Sequence, residues 1–277
     1  MQKFEKVALV CCSDGVSPAK KLEVDRLTAV LQHWGMEVVS SPCLYAGETV
    51  FSAPAKERAA VLNGFFRDES VDAIFDVSGG DLASQLPPYL DYEAIAASRA
   101  VFWGYSDLSS MINAIYTKTG KSSVLFPIRS LVWQNGPSQQ EAFRDGSLFQ
   151  VPVRFLQGTQ MEGVVVGGNI RCLLKLAGTP YFPDVTGKIL LLEACGGSAA
   201  RMAAFLSQLA QMEVFSNVSG LLLGTFTAME QSGEKPTVEE MVLSMVQPQL
   251  PVAKTTRIGH GADTRAIHIG GYGRFLV

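Results

Sequence analysis

Short apolar runs alternate with amphipathic stretches along the first half of the chain. The runs have the length of single strands and lie at residues 6–12, 38–40, 73–77 and 100–103. Residues 19–34, the stretch after Pro54 and residues 109–119 instead carry apolar side chains at helical spacing. Short, mainly apolar strands that alternate with helices predict a parallel sheet covered on both faces.

The pattern changes after residue 126. Residues 135–158 are rich in glycine, proline and polar side chains, which predicts a linker or a lid over a cleft. Strands are then expected at 163–166, 188–193 and 220–225, and helices at 170–176, 201–211 and 238–245, before a glycine-rich tail. We therefore predict two α/β lobes, residues 1–130 and 159–277, joined by a linker or loop at 131–158, with a site between them.

The composition argues against a disordered protein, a nucleic-acid-binding protein and a membrane protein. The 277 residues are 47% hydrophobic and 18% charged, with a formal net charge of −3. This apolar content excludes a disordered chain, and the acidic balance argues against nucleic acid as a partner. No run approaches the roughly 20 apolar residues that span a bilayer, and Ser13, Asp14 and Gly15 end the first run too early for a signal peptide. We predict a cytoplasmic protein with no membrane partner.

The cysteines and histidines show no metal-binding pattern. The five cysteines form no CxxC pair and the three histidines no HExxH motif, whereas zinc sites show such spacings. The nucleotide-binding patterns GxGxxG and GxxxxGK[ST] are also missing from the sequence. We therefore expect free thiols, no metal and no cofactor, although a carboxylate site for magnesium stays open.

A serine stands at the corner between a predicted buried strand and a helix, within residues 101–108. A tight turn there exposes the hydroxyl of Ser106 at the carboxyl end of the sheet and directs backbone N–H groups towards the same space. The elbow motif GxSxG fails at its last position, which is Leu108. Ser106 or Asp107 could equally cap the helix, so this segment alone leaves both alternatives open.

A nucleophilic serine needs a base, and the base needs an acid that orients it. His33 is expected on the surface of a helix and His268 half-buried in a strand. His260 lies between two glycines in a loop, where its ring can project. Glu193 ends a predicted buried strand and is a candidate acid, although it could also cap the helix that follows.

Together these motifs resemble those of the LD-carboxypeptidases, serine peptidases whose triad follows the order Ser, Glu, His. The matching stretches are Ser78-Gly79-Gly80-Asp81, Pro88-Tyr89-Leu90-Asp91-Tyr92, Gly104-Tyr105-Ser106-Asp107, Gly167-Gly168-Asn169, Gly178-Thr179-Pro180-Tyr181, Leu192-Glu193 and Gly259-His260-Gly261. They occur in order over nearly the whole chain, so the resemblance is far more specific than any single motif.

The resemblance implies a Rossmann-like N-terminal lobe with the parallel sheet, a smaller and β-rich swivelling C-terminal α/β lobe, and a homodimer. It implies Ser106 as the nucleophile, Glu193 as the acid and His260 as the base. The residues implied in oxyanion and substrate binding flank this nucleophile: the backbone N–H groups of Asp107 and Gly80 as oxyanion donors, and Gly79 and Asp81 at the substrate.

Two departures from the family pattern leave the substrate open. Many murein-recycling members have an Arg-Gly-Gly-Tyr-Gly type of loop where this chain has Val77-Ser78-Gly79-Gly80-Asp81, and Leu125-Phe126-Pro127 replaces a frequent His-Gly-Pro. The resemblance implies a carboxypeptidase that takes a small murein-type peptide, cuts an LD amide bond and releases a terminal D-amino acid.

Two other functions stay open. An amidase resembling the microcin-C immunity peptidases would cleave peptidyl or aminoacyl adenylates and would favour an aromatic platform for adenine. Trp133 is the candidate for that platform, although a core position is favoured for it. A non-catalytic binding module that kept the fold is the third hypothesis, against which the complete Ser, Glu, His set argues.

Overall fold

The computed structural model describes residues 4–277, which fold into two six-stranded sheets with flanking helices. The strands are β1 (Lys6–Val10), β2 (Glu37–Ser40), β3 (Ala73–Asp76), β4 (Val101–Gly104), β5 (Ser123–Leu125), β6 (Arg154–Gln157), β7 (Gln160–Asn169), β8 (Ile189–Ala194), β9 (Gly220–Phe226), β10 (Val252–Lys254), β11 (Ile267–Ile269) and β12 (Tyr272–Leu276). The α-helices are α1 (Lys21–His33), α2 (Ala55–Arg67), α3 (Tyr92–Ala97), α4 (Ser109–Thr119), α5 (Gly136–Asp145), α6 (Ile170–Leu174), α7 (Ala199–Gln211), α8 (Val214–Asn217), α9 (Thr227–Ser232) and α10 (Val238–Met245). None of the helices in this range is long and apolar enough to cross a bilayer.

The first sheet has the strand order β11-β5-β4-β3-β1-β2. Its first five strands along the chain are parallel, and β3 is buried at every position. The parallel sheet predicted from the apolar runs is therefore confirmed. The order 2-1-3-4-5 is that of a doubly wound fold, in which ligands bind at the carboxyl ends of the strands where the order reverses. Here that point lies between β1 and β3.

The second sheet has the order β12-β7-β8-β9-β10-β6. Its four central strands are parallel, and antiparallel strands β12 and β6 close the two edges. Strand β8 is buried along its whole length and carries Glu193 next to its last residue. The chain thus has the two α/β lobes that the sequence pattern predicts.

Residues 135–158, the predicted linker or lid, contain regular secondary structure. Gly136 and Pro137 begin α5, where proline suits the first turn, and Gly146 ends it in the left-handed conformation. Phe143 of this helix is fully buried in the core of the first lobe, and β6 pairs with β10. The glycines and prolines are helix start and stop signals here, so the interpretation of this segment as an irregular loop is wrong.

The glycine-rich tail is also regular structure. Strand β11 pairs antiparallel with β5 and so adds a strand from the far end of the chain to the first sheet. One continuous cluster of buried apolar side chains includes Ala8 and Ile74 of the first sheet and Val165 and Leu222 of the second. The two sheets therefore share part of their core, which fixes their carboxyl edges relative to each other.

Candidate active site

The turn between β4 and α4 holds Ser106 in a strained conformation. Gly104 ends the strand, and a Cβ there would lie 2.6 Å from Cβ of Leu108, so the turn can close only on glycine. Tyr105 is extended, whereas Ser106 has a φ of 55°. The left-handed region costs a non-glycine residue about 1–2 kcal/mol, and such strain concentrates at functional sites.

His260 contacts both of the other residues predicted to form the triad. Its Nε2 lies 3.2 Å from Oγ of Ser106, and its Nδ1 lies 2.9 Å from Oε2 of Glu193. The three side chains come from the turn after β4, the end of β8 and the loop between β10 and β11. The structure thus brings together residues that lie up to 154 positions apart. The other two histidines lie elsewhere: His33 is exposed on α1 and His268 stacks on a phenylalanine.

The two contacts of His260 Nδ1, with Glu193 and with Tyr105, differ in hydrogen-bond geometry. The ring N–H does not point squarely at Oε2 of Glu193, and this oxygen has no well-aligned hydrogen bond among residues 4–277. The phenol oxygen of Tyr105 lies 3.3 Å from the same nitrogen. Catalytic hydrogen bonds are often poorly aligned without substrate, and a small rotation of the imidazole would align it with Glu193.

Asn169 and Tyr105 lie near Glu193, the predicted acid. Both residues belong to the motifs, but the sequence did not indicate their roles. Glu193 is fully buried, and its Oε1 accepts a hydrogen bond of 2.9 Å from Nδ2 of Asn169. The backbone N–H of Asn169 donates in turn to Oγ of Ser109 in α4. Burial raises the pKa of Tyr105 well above its ordinary value, and the charge of Glu193 raises it further, so the phenol beside the imidazole is neutral.

Asp107 anchors the nucleophile turn through its side chain. The fully buried carboxylate accepts hydrogen bonds from Oγ of Ser13 at 2.7 Å, from the N–H of Ala83 at 2.8 Å and from Nζ of Lys175 at 2.6 Å. Ser13 follows β1, and Ala83 follows the glycine turn after β3. Lys175 follows α6 in the second lobe, so one carboxylate ties the nucleophile turn to both lobes.

The glycine turn after β3 lies on the other side of Ser106. Gly79 lines the same cavity as Ser106. Gly80 has a φ of 128°, and a Cβ there would lie 2.1 Å from Cγ of Asp14, so only glycine fits beside that carboxyl. Asp81 forms ion pairs with Arg171 and Lys175 of the second lobe. Of the predicted oxyanion and substrate residues, Gly79 lines the cavity, whereas Gly80 packs on Asp14 and Asp81 makes contacts between the lobes.

A cavity of about 190 Å³ opens beside Ser106 and His260. Its walls come from the carboxyl edge of the first sheet, from the segment after β5 and from the loop between β10 and β11: Asp76, Ser78, Gly79, Tyr105, Ser106, Pro127, Ile128, Arg129, Trp133 and His260. A larger cavity of about 640 Å³ lies at the ends of β9 and β10, but neither Ser106 nor His260 lines it. The smaller cavity is therefore the candidate active site.

Trp133 lines this cavity instead of occupying the core position favoured from the sequence. It is half-buried, and its indole N–H donates to Oε1 of Glu23 at 2.8 Å. The same oxygen lies 3.3 Å from Nη1 of Arg129. Trp133 and Arg129 thus both line the cavity, and both contact the carboxylate of Glu23. Within residues 4–277, no group of three or more His, Cys, Asp or Glu side chains is arranged to hold a metal ion.

Comparison with known families identifies the family of the chain. A family model described as the LD-carboxypeptidase N-terminal domain matches residues 7–125, and one described as the LD-carboxypeptidase C-terminal domain matches residues 162–274. The chain belongs to the LD-carboxypeptidase family, and the resemblance seen in its motifs is confirmed. Membership of this family supports a hydrolase of the peptidase class.

The relatives fall into two groups by name. The chain is 26% identical over 270 residues to the probable murein peptide carboxypeptidase of Bacillus subtilis (strain 168), over 92% of this chain and 84% of that protein. It is 27% identical over 263 residues to the microcin C7 self-immunity protein MccF of Escherichia coli, over 80% of this chain and 76% of that protein. The structure of MccF in complex with glutamyl sulfamoyl guanosine superposes with a TM-score of 0.86 at 22% identity, covering 98% of this chain and 93% of that one. This last likeness shows the shared fold of two α/β lobes.

Proposed function

We propose that the chain is a serine carboxypeptidase that hydrolyses an LD amide bond of a murein-type peptide and releases the terminal D-amino acid. The observation that carries the proposal is that His260 contacts both Ser106 and Glu193, and that Ser106 and His260 line one small cavity. The Bacillus relative, named as a probable murein peptide carboxypeptidase, supports this class of substrate.

The reaction follows from the roles of the three side chains. His260 Nε2 takes the proton of Ser106 as Oγ attacks the carbonyl carbon, and it then gives that proton to the leaving amine. Glu193 holds the imidazole and stabilises its charged form. Water, activated by His260, then hydrolyses the acyl-enzyme and restores the serine.

The negative charge on the tetrahedral intermediate needs fixed N–H donors. The backbone of Asp107, at the start of the helical segment after the turn, supplies one, and the Gly79-Gly80 turn supplies the other. A single such donor is typically worth about 10²–10³ in rate. The anchoring of Asp107 by three hydrogen bonds supports a rigid donor at that position.

A second candidate function is the cleavage of aminoacyl or peptidyl adenylates. The position of Trp133 favours it, because an indole on the wall of the cavity can stack on a nucleobase. The relative named as a microcin C7 self-immunity protein agrees with this alternative.

The test compares the wild-type protein with Ser106→Ala on three compounds. These are the peptide L-Ala-D-Glu-diaminopimelate-D-Ala, the same peptide ending in L-Ala, and an aminoacyl sulfamoyl adenylate. We expect release of D-Ala but not L-Ala, and a loss of at least about 10⁴-fold in S106A. Ser138→Ala, an exposed serine on α5, is the matched control. Turnover of only the adenylate would support the second function, and no turnover of any compound would contradict both.

A further inference from the structure

Arg129 places a cation on the wall of the cavity that contains Ser106. It belongs to the 3-10 helix Ile128–Val132, which follows β5 at the carboxyl edge of the first sheet. Among the residues that line this cavity it is the one with a permanent positive charge. Its side chain is 17% exposed, so the charge is held largely away from bulk water.

The guanidinium is only partly satisfied by its surroundings. In the described part of the chain its one ionic contact is with Glu23, where Nη1 lies 3.3 Å from Oε1, and no other side chain accepts a hydrogen bond from it. That oxygen also accepts the indole N–H of Trp133. A guanidinium carries five N–H donors in a planar fork, so most of them are available to a ligand.

The carboxyl of Asp76, which also lines the cavity, already accepts three hydrogen bonds. Its oxygens accept from the N–H of Cys12 at 2.7 Å, from the N–H of Ser78 at 2.7 Å and from Oγ of Ser78 at 2.5 Å. Asp76 therefore shapes the glycine turn and has little capacity left for a ligand. Arg129 is therefore the charged residue on the cavity wall with unused hydrogen-bonding capacity. A guanidinium has only donors, so the ligand that suits it is an anion.

We propose that Arg129 binds the free carboxylate of the residue that leaves, with two parallel N–H···O hydrogen bonds, and so restricts the enzyme to the last bond of a peptide. This inference rests on the proposed function. Guanidinium and carboxylate match in geometry, and such charge-assisted pairs are among the stronger hydrogen bonds in proteins. A volume of about 190 Å³ is below the roughly 300–1,000 Å³ of pockets for drug-sized ligands, which suits one small terminal residue.

The test compares Arg129→Gln with wild type on one peptide in two forms, L-Ala-D-Glu-diaminopimelate-D-Ala as the free acid and as the C-terminal amide. We expect wild type to prefer the acid by about 100-fold in kcat/KM, since hydrogen bonds between charged groups are stronger than those to a neutral amide, and R129Q to lose that factor on the acid alone. The loss should lie mainly in KM. Arg129→Lys keeps the charge without the fork and should lose about tenfold. Arg144→Gln, on the exposed side of α5, is the matched control.

Glu23→Gln keeps the test decisive if R129Q does not fold. This variant leaves the guanidinium in place and removes its one anionic neighbour, so the preference for the acid should persist or increase. Loss of the preference in E23Q, equal losses of R129Q on acid and amide, or a loss confined to an aminoacyl sulfamoyl adenylate would each overturn the assignment. If wild type cleaves acid and amide equally, with S106A inactive on both, the assignment of Arg129 is wrong while the proposed function stands. If it cleaves neither, both fail.

Discussion

Ser106, the proposed nucleophile, and His260, the proposed base, are held in place by different kinds of interaction. Beside Ser106, the fully buried carboxylate of Asp107 accepts three hydrogen bonds, one of them from the ammonium group of Lys175. The loop that carries His260 has no such buried charge. Gln139 donates two neutral hydrogen bonds to the backbone of this loop, Arg257 and Asp263 form an ion pair at the surface, and the N–H of Thr225 donates to the carbonyl of Ile258 at 2.7 Å.

This difference between the turn at Ser106 and the loop at His260 suits the roles proposed for the two residues. The strain at Ser106 persists only if the surrounding structure over-determines the turn, and a buried ionic network can do so. His260 must instead shift its alignment between Ser106 and Glu193, and neutral hydrogen bonds at the base of its loop permit small movements. We therefore expect a rigid turn at Ser106 and a more adjustable loop at His260.

The largest effect should come from removing the cation beside Asp107. Lys175→Met leaves a fully buried carboxylate without its counter-ion, and breaking a buried pair in this way costs about 3–5 kcal/mol. The double variant D107N/K175M should recover part of that loss, because no charge is left unpaired. Chemical denaturation of the single and double variants measures both values.

Lys188→Met is the matched control for this cycle. Lys188 pairs with Asp184, whose side chain is 71% exposed, so its loss should cost no more than about 1 kcal/mol. A cost for K175M as small as that of K188M would show that the network around Asp107 does not hold the nucleophile turn.

A smaller effect, on activity, is expected at the base loop. Gln139→Leu removes the hydrogen bonds to the carbonyl groups of Ala262 and Thr264, at 3.0 and 2.9 Å. We expect kcat to fall about tenfold with KM nearly unchanged, since a misplaced base affects the transition state more than binding. Gln157→Leu is the matched control. Gln157 lies in β6, and its side chain also donates to two backbone carbonyls, those of Gln247 and Leu250. Equal losses of kcat in Q139L and Q157L would contradict a role of Gln139 in placing His260.

The strain at Ser106 should appear as a difference between two inactive variants. S106G and S106A both lack the hydroxyl, but glycine adopts a φ of 55° without steric cost. We expect S106G to be more stable than S106A by about 1 kcal/mol. Glu213, with a φ of 59°, allows the same pair of variants far from the site as a reference. No gain for S106G, beside a gain for E213G over E213A, would mean that the turn relaxes around alanine.

The sequence predicts most of what positions the triad. Wholly apolar runs such as residues 100–103 predict strands buried on both faces, and the residues at the ends of such strands then meet at one edge. Residues 135–158 mislead because glycine and proline mark helix ends as well as loops, and here they bound α5. Strand β11 is three residues long, and its partner β5 lies more than 140 positions earlier, so local patterns could not reveal the pairing.

The supporting contacts of the site are the part that the sequence does not reveal. The pair of Asp107 and Lys175 is separated by 68 positions, and Gln139 lies 123 positions from Ala262. Neither contact belongs to a motif, because each depends on how the two lobes and α5 pack together. Glu193 and His260 are recognisable because the chemistry of a triad restricts the residue types, whereas the residues that orient them are not restricted in this way.

The smallest effect concerns the carboxyl of Asp14, which lies against Gly80 on the nucleophile side. Partial burial raises the pKa of Asp14, and the charge of Asp107 raises it further, against a hydrogen bond from the backbone of Leu82. Between the ordinary pKa near 3.9 and the raised one, the folded state binds more protons than the unfolded state, so this group lowers stability as the pH rises through that window. Asp14→Asn removes this contribution. We therefore expect D14N to gain stability relative to wild type as the pH rises from 3.5 to 7 in urea unfolding. If the difference in unfolding free energy between D14N and wild type stays constant over this range, the pKa of Asp14 is not raised in the folded state.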